Sequence, residues 1–118
     1  MREETTYVVV LSTVPSVEIG LEIAHDLVEN LLAACVNIIP RIMSVYEWEG
    51  EIREDEEALL IIKTRLMYVD NLIERIMEIH PYDIPEVIAL PVVEGSSEYL
   101  EWIDSVIGPM IPPEDDEE

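Results

Sequence analysis

Phenylalanine and glutamine are absent from this chain of 118 residues, and it carries one cysteine, one lysine and four glycines. Cys35 alone makes no internal disulfide, which fits a reducing compartment. Four glycines do not build a Gly-rich phosphate cradle, and no CxxC, HExxH or GxSxG run is present. Cations are scarce: 6 Lys+Arg stand against 27 Asp+Glu, a formal charge of −21. The few cations are scattered between Arg2 and Arg75 rather than clustered, so neither a nucleic-acid backbone nor an anionic membrane surface is an expected partner. No apolar run approaches the roughly 18 residues of a membrane-spanning helix. Met1-Arg2-Glu3-Glu4 does not open an apolar leader, so a cytoplasmic location is the expectation.

Hydrophobic residues make up 49% of the chain, enough for a core despite the charge. Thr5 to Leu11 is β-branched and apolar, as in a buried strand. Ser16 is placed to cap a helix that runs from Val17, through Leu21, Ala24, Leu27 and Leu31, to an end between Asn30 and Leu32. Ala33 to Trp48 reads as a long strand interrupted by Pro40, and a proline there implies an edge or a bulge. Glu49-Gly50-Glu51 forms the turn of a hairpin, and Ile52 to Arg65 returns as its second strand. Val69, Leu72, Ile73, Ile76 and Met77 resume helical spacing until Pro81. Glu86 to Val93 is a strand, Ser96 and Ser97 cap a short final helix, and Gly108-Pro109 ends it. The order β-α-β-β-α-β-α predicts an α+β fold, a ferredoxin-like split βαβ sandwich with an antiparallel sheet and helices on one face. One domain over residues 1–113 and a solvated acidic tail over 114–118 complete the expected organisation.

The predicted hairpin is too long for its domain. Strands of about 15 residues extend roughly 50 Å, whereas a compact chain of this size is roughly 35 Å across. The overhanging tip carries Val45, Tyr46, Trp48 and Ile52. Exposed aromatics along a free strand edge need cover. The simplest cover is another copy of the chain in a closed ring. The alternative is a bulge at Pro40 that folds the hairpin back onto its own sheet.

Several blocks carry a specific likeness: Leu31 to Pro40 (LLAACVNIIP), Ser44 to Ile52 (SVYEWEGEI), Ile61 to Thr64 (IIKT), His80 to Pro91 (HPYDIPEVIALP) and Tyr99 to Ile103 (YLEWI). Their order and spacing resemble the CutA divalent-cation-tolerance family from Val8 to Ile103. The resemblance implies a PII-like homotrimer of ferredoxin-like subunits, a role in the response to metal ions such as copper, and no established catalytic activity. Absence of an evident nucleophile–base pair agrees with a protein that is not an enzyme. At two places the chain departs from some bacterial relatives: Ser12 stands where they have a cysteine, and Ile79 where they have a histidine. A Cys/His copper site of that kind is therefore not implied here.

Candidate sites follow. His80, ahead of Pro81, is the leading ligand for Cu(II) or another divalent cation, with a plain helix-capping histidine as the alternative. Glu57 and Asp83 join it as candidate metal carboxylates. The resemblance places Tyr46, Trp48, Lys63, Tyr82 and Glu86 around clefts between subunits. Lys63 is either a snorkelling edge residue or the anchor for a small anion, paired to Glu57 or Glu86, as a PII-like ligand sensor would need. A structural trimer without a small ligand is the remaining alternative. Cys35, in an apolar strand, is expected to be a buried structural residue. The acidic run Glu54 to Glu57 is expected to be a solvated face.

Overall fold

The computed structural model describes residues 6–108. Thr5 and the acidic tail lie outside them. Four strands and three helices follow the predicted order: β1 (Tyr7–Val14), α1 (Val17–Glu29), β2 (Cys35–Trp48), β3 (Glu51–Arg65), α2 (Val69–Ile79), β4 (Ile88–Pro91) and α3 (Ser97–Val106). The sheet is antiparallel in the order β2-β3-β1-β4.

Alternation along β1 buries Val8, Val10, Ser12 and Val14 on one face, and β3 matches it with Ala58, Leu60, Ile62 and Thr64. Helices α1 and α2 close over that face with Ile23, Leu27, Val69, Leu72 and Ile76. Ser16 caps α1 by accepting the Ile19 N–H at 3.2 Å. Gly20 is where α1 presses closest to the sheet. A Cβ there would lie 3.2 Å from both Leu60 Cδ2 and Val14 Cγ2, so the residue that weakens the helix is the one that lets it dock. A bidentate pair from Arg75 to Asp26 ties α2 to α1, at 2.8 and 2.6 Å.

Three expectations need correction. The helices do not share one face. Asp104 of α3 receives the Tyr7 hydroxyl at 2.8 Å and pairs with Arg65, both on the opposite side of the sheet, so α3 covers the base of that side. β4 is four residues rather than eight, because Pro85 and Pro91 leave only a short extended stretch and β4 pairs with β1 alone. Cys35 is half-buried rather than buried, because β2 is an edge strand and Cys35 lies on the side that α1 and α2 do not cover.

The hairpin overhang is real. β1 stops at Val14, opposite Ala58, while β2 and β3 continue to Trp48 and Glu51. The described residues measure 58 × 31 × 23 Å. Their radius of gyration is 16.1 Å, against about 13 Å for a compact chain of 100 residues. A bulge is present between Ile39 and Ile42, with Arg41 at φ 62°, but the ribbon runs on past it and does not fold back. Two residues with positive φ, Glu49 (52°) and Gly50 (83°), make the tight turn at the tip.

Candidate functional site

Past the end of β1, the half of the sheet that no helix covers becomes the floor of a cleft. Glu57, Asp55 and Arg53 alternate along β3 and point to this side. Ser44, Tyr46 and Trp48 face the same way from β2, where Ser44 pairs with Asp55, Tyr46 with Arg53 and Trp48 with Glu51. The connector between α2 and β4 forms the opposite wall with Tyr82, Asp83, Ile84 and Glu86. Pro81 and Pro85 bracket that connector and restrict its backbone. The cleft is open to solvent and has a volume of about 640 Å³.

Glu57 organises the cleft. It is only 9% exposed, yet both of its oxygens are satisfied. Ser44 Oγ donates to Oε1 at 2.6 Å and Tyr82 Oη donates to Oε2 at 2.6 Å. Two hydroxyl donors are what allow a carboxylate to sit this far from water. Burial, and then the Glu57 carboxylate it serves, push the Tyr82 phenol well above its ordinary value, so Tyr82 keeps its proton. Tyr46 repeats the motif toward the tip, donating to Asp55. That bond, and then the cost of desolvation, raise its phenol as well.

His80 is the C-cap of α2, with 8% of its surface exposed. Its Nε2 lies 2.8 Å from the Thr13 carbonyl oxygen, which can only accept, so Nε2 carries the proton. Nδ1 in turn accepts the Tyr82 N–H at 3.1 Å. Both ring nitrogens are occupied and no lone pair is left to ligate a metal. The expected ligand instead positions the site: His80 fastens the connector to the end of β1 and sets Tyr82, whose ring centroid is 4.8 Å from its own, against Glu57.

Of the expected residues, Glu57, Asp83, Tyr46, Trp48, Tyr82 and Glu86 share this one cleft. Lys63 does not. It lies six residues further along β3, about 20 Å from Glu57 at the rise of a strand, and it donates to the Asn37 side chain beside Cys35. An anion anchored by Lys63 therefore has no counterpart in this cleft. The acidic run is also not one uniform face. Glu54 and Glu56 are exposed on the far side, whereas Asp55 and Glu57 hold hydroxyl donors inside the cleft. Ser44, Arg53, Asp55 and Ile84 were not among the expected site residues. Alternation counted back from Glu57 would have found Asp55 and Arg53.

Comparison with known proteins decides the family. The family model described as "CutA1 divalent ion tolerance protein" matches residues 8–106. The chain belongs to the CutA1 family. It is 53% identical over 95 residues to the divalent-cation tolerance protein CutA of Thermus thermophilus, covering 80% of this chain and 92% of that one. It is 54% identical over 96 residues to the chloroplastic CutA of Arabidopsis thaliana, covering 81% of this chain and 53% of that protein. The solved CutA1 structure from Thermus thermophilus superposes with a TM-score of 0.84 at 50% identity, over 86% of this chain and 99% of that one. A chloroplastic relative shows that the family is not confined to the cytoplasm. No described helix is long and apolar enough to cross a membrane.

The family name directs attention to divalent ions. Among the described residues of this CutA1 chain, no three His, Cys, Asp or Glu side chains converge as metal ligands. The His80 nitrogens are taken, and each Glu57 oxygen already accepts a hydroxyl. The donor set within one chain does not fit a dedicated transition-metal centre, which asks for several free lone pairs around one point.

Proposed function

We propose that this CutA1 protein acts in divalent-cation tolerance as a non-enzymatic homotrimer, in which metal ions are held loosely, as hydrated ions, by its carboxylates. The overhanging ribbon carries this reading. Val45, Trp48 and Ile52 are 65%, 44% and 72% exposed in the single chain. The uncovered sheet face adds Ile39, Ile88 and Leu90, all exposed, beside half-buried Val9, Leu11, Leu59 and Ile61. Trp48 lies on the same side as that face, and Val45 and Ile52 on the opposite side of the ribbon. Apolar surface on a projecting arm and on the sheet below it is what a closed ring of identical chains would cover. Hydrated-ion binding follows from the formal charge of −21 combined with the misfit of His80.

Sedimentation equilibrium tests the assembly: a mass of three chains is expected, reduced by Ile52→Ser, and a monomer at micromolar concentration overturns it. Calorimetric titration with Zn(II) and Cu(II) tests the ion reading. Weak binding that fades between low and 0.5 M salt and survives His80→Ala is expected. A tight isotherm that resists salt and disappears in His80→Ala overturns it.

A further inference from the structure

Residues 81–87, which join α2 to β4, are held by few polar contacts. Pro81 and Pro85 have no N–H to donate. Among the described residues, the hydrogen bonds of this connector come from Tyr82: its N–H donates to His80 Nδ1 at 3.1 Å, and its hydroxyl donates to Glu57 Oε2 at 2.6 Å. The first of these bonds exists only while the His80 ring is neutral. Nε2 already donates to the Thr13 carbonyl at 2.8 Å, so a second proton on the ring goes to Nδ1. Two N–H groups would then face each other, and an attraction would become a repulsion. An imidazole is the side chain whose charge ordinarily changes between about pH 5 and 8. The groups around the ring do not supply such a change themselves. The end of β1 offers a carbonyl and no charge. Burial and Glu57 hold the Tyr82 phenol well above its ordinary value, so it stays protonated across that range. Glu57 on β3 faces the ring through Tyr82, and Asp55 lies beyond it beside Tyr46. Asp83 and Glu86 on the connector, Glu78 on α2, and Glu18 and Glu22 on α1 are exposed. Carboxyl groups ordinarily change charge near about pH 4, below the range of an imidazole.

We propose that His80 is a pH-sensitive latch: neutral, it holds the connector against the end of β1; protonated, it lets go of Tyr82 and frees residues 81–87. Tyr82 is the point from which the release spreads. Its ring packs on the imidazole and its hydroxyl reaches Glu57, so a freed connector draws that hydroxyl away and leaves the buried carboxylate to Ser44 alone. Acid therefore loosens one wall of the cleft, while the helix-covered base of the sheet stays closed. The latch works within one chain, whether that chain stands alone or in a ring, and with or without metal ions.

The test is hydrogen exchange of the full chain, read by mass spectrometry from about pH 8 down to about pH 5 and corrected for the intrinsic pH dependence of amide exchange. Protection over residues 81–87 should fall about fivefold or more in acid, while residues 58–64 stay as protected as before. The midpoint of that fall should match the titration of the His80 Cε1 proton in NMR spectra. His25 is the only other histidine, and His25→Gln identifies its signal and should leave the response intact. His80→Asn removes the titrating ring but keeps the acceptor, because an asparagine carbonyl takes the N–H two residues on in an Asx turn. Its connector should be protected at both ends of the range, and that of His80→Ala at neither. A wild-type connector equally protected throughout, an acid response that survives in His80→Asn, or an equal loss over residues 58–64 would overturn the latch. Circular dichroism checks the fold of each variant. Should His80→Asn not fold, the wild-type midpoints decide: exchange that does not follow the His80 resonance overturns the latch as well.

Discussion

The base of the β2–β3 hairpin and its overhanging half belong to the same two strands, yet they are held by different forces. At the base, Leu60 and Ile62 are fully buried between the sheet and helices α1 and α2. Past Ala58 no helix lies over either face, and order comes from hydroxyl–carboxylate bonds such as Tyr82 to Glu57. Apolar burial is non-directional and tolerates many side chains of the right size. The distal half depends on a few polar partners that must be in register, which is why it can offer a chemically defined surface and the base cannot.

The largest effect that can sharpen this contrast is in the base. Leu60→Ala should cost about 3 kcal/mol in urea unfolding through lost burial and a cavity, whereas Glu54→Ala on the ribbon should stay within about 0.5 kcal/mol. Equal costs would mean that the two halves are not distinct. Next comes the cleft. Tyr82→Phe leaves the buried Glu57 carboxylate one donor short and should cost about 1–2 kcal/mol, while Tyr46→Phe, at an exposed pair, should barely move the unfolding midpoint. At the tip, Gly50→Ala places a Cβ at φ 83° and should cost about 1 kcal/mol. Nothing lies within 4 Å of that Cβ, so any loss reports backbone strain alone.

The smallest effect concerns charge in the base. The Arg75 guanidinium hydrogen-bonded to Asp26 holds the Asp26 carboxyl below its ordinary value. A carboxyl depressed on folding stabilises the protein above its unfolded pKa, near 4, and that contribution is lost as pH falls through the folded value. Urea midpoints of wild type and Asp26→Asn should therefore differ at pH 7 and converge in strong acid. A gap that persists at pH 2 would show that the pair acts by packing and not by charge.

Much of the base was legible from residues alone. The β-branched apolar run of β1, leucine and isoleucine spacing in α1 and α2, and the serine caps are local signals with local causes. The overhang was legible too, from length arithmetic set against the size of the domain. The side of the sheet chosen by α3 was not, because it depends on Asp104 meeting Tyr7 and Arg65 from 97 and 39 residues away. Of the two readings of His80, metal ligand or helix cap, the structure shows the cap, and the sequence could not choose between them for a related reason. A histidine before a proline looks the same in sequence whether its ring is free or, as here, held between Thr13 and Tyr82. The split of Glu54–Glu57 into solvated and cleft-facing residues is a matter of strand alternation, and composition conceals it.

The bulge at Pro40 and Arg41 works as a phase shifter. On its near side Cys35, Asn37 and Ile39 share a face with Lys63, Ile61 and Leu59; on its far side that face passes to Ile42, Ser44, Tyr46 and Trp48. Odd numbers give way to even ones, and the aromatic side of the ribbon meets Glu57 because of that single step. Were Pro40 and Arg41 to pair as ordinary strand residues, the ribbon would turn inside out without changing any distal residue, presenting Met43, Val45 and Glu47 to the floor and sending Tyr46 to the opposite side.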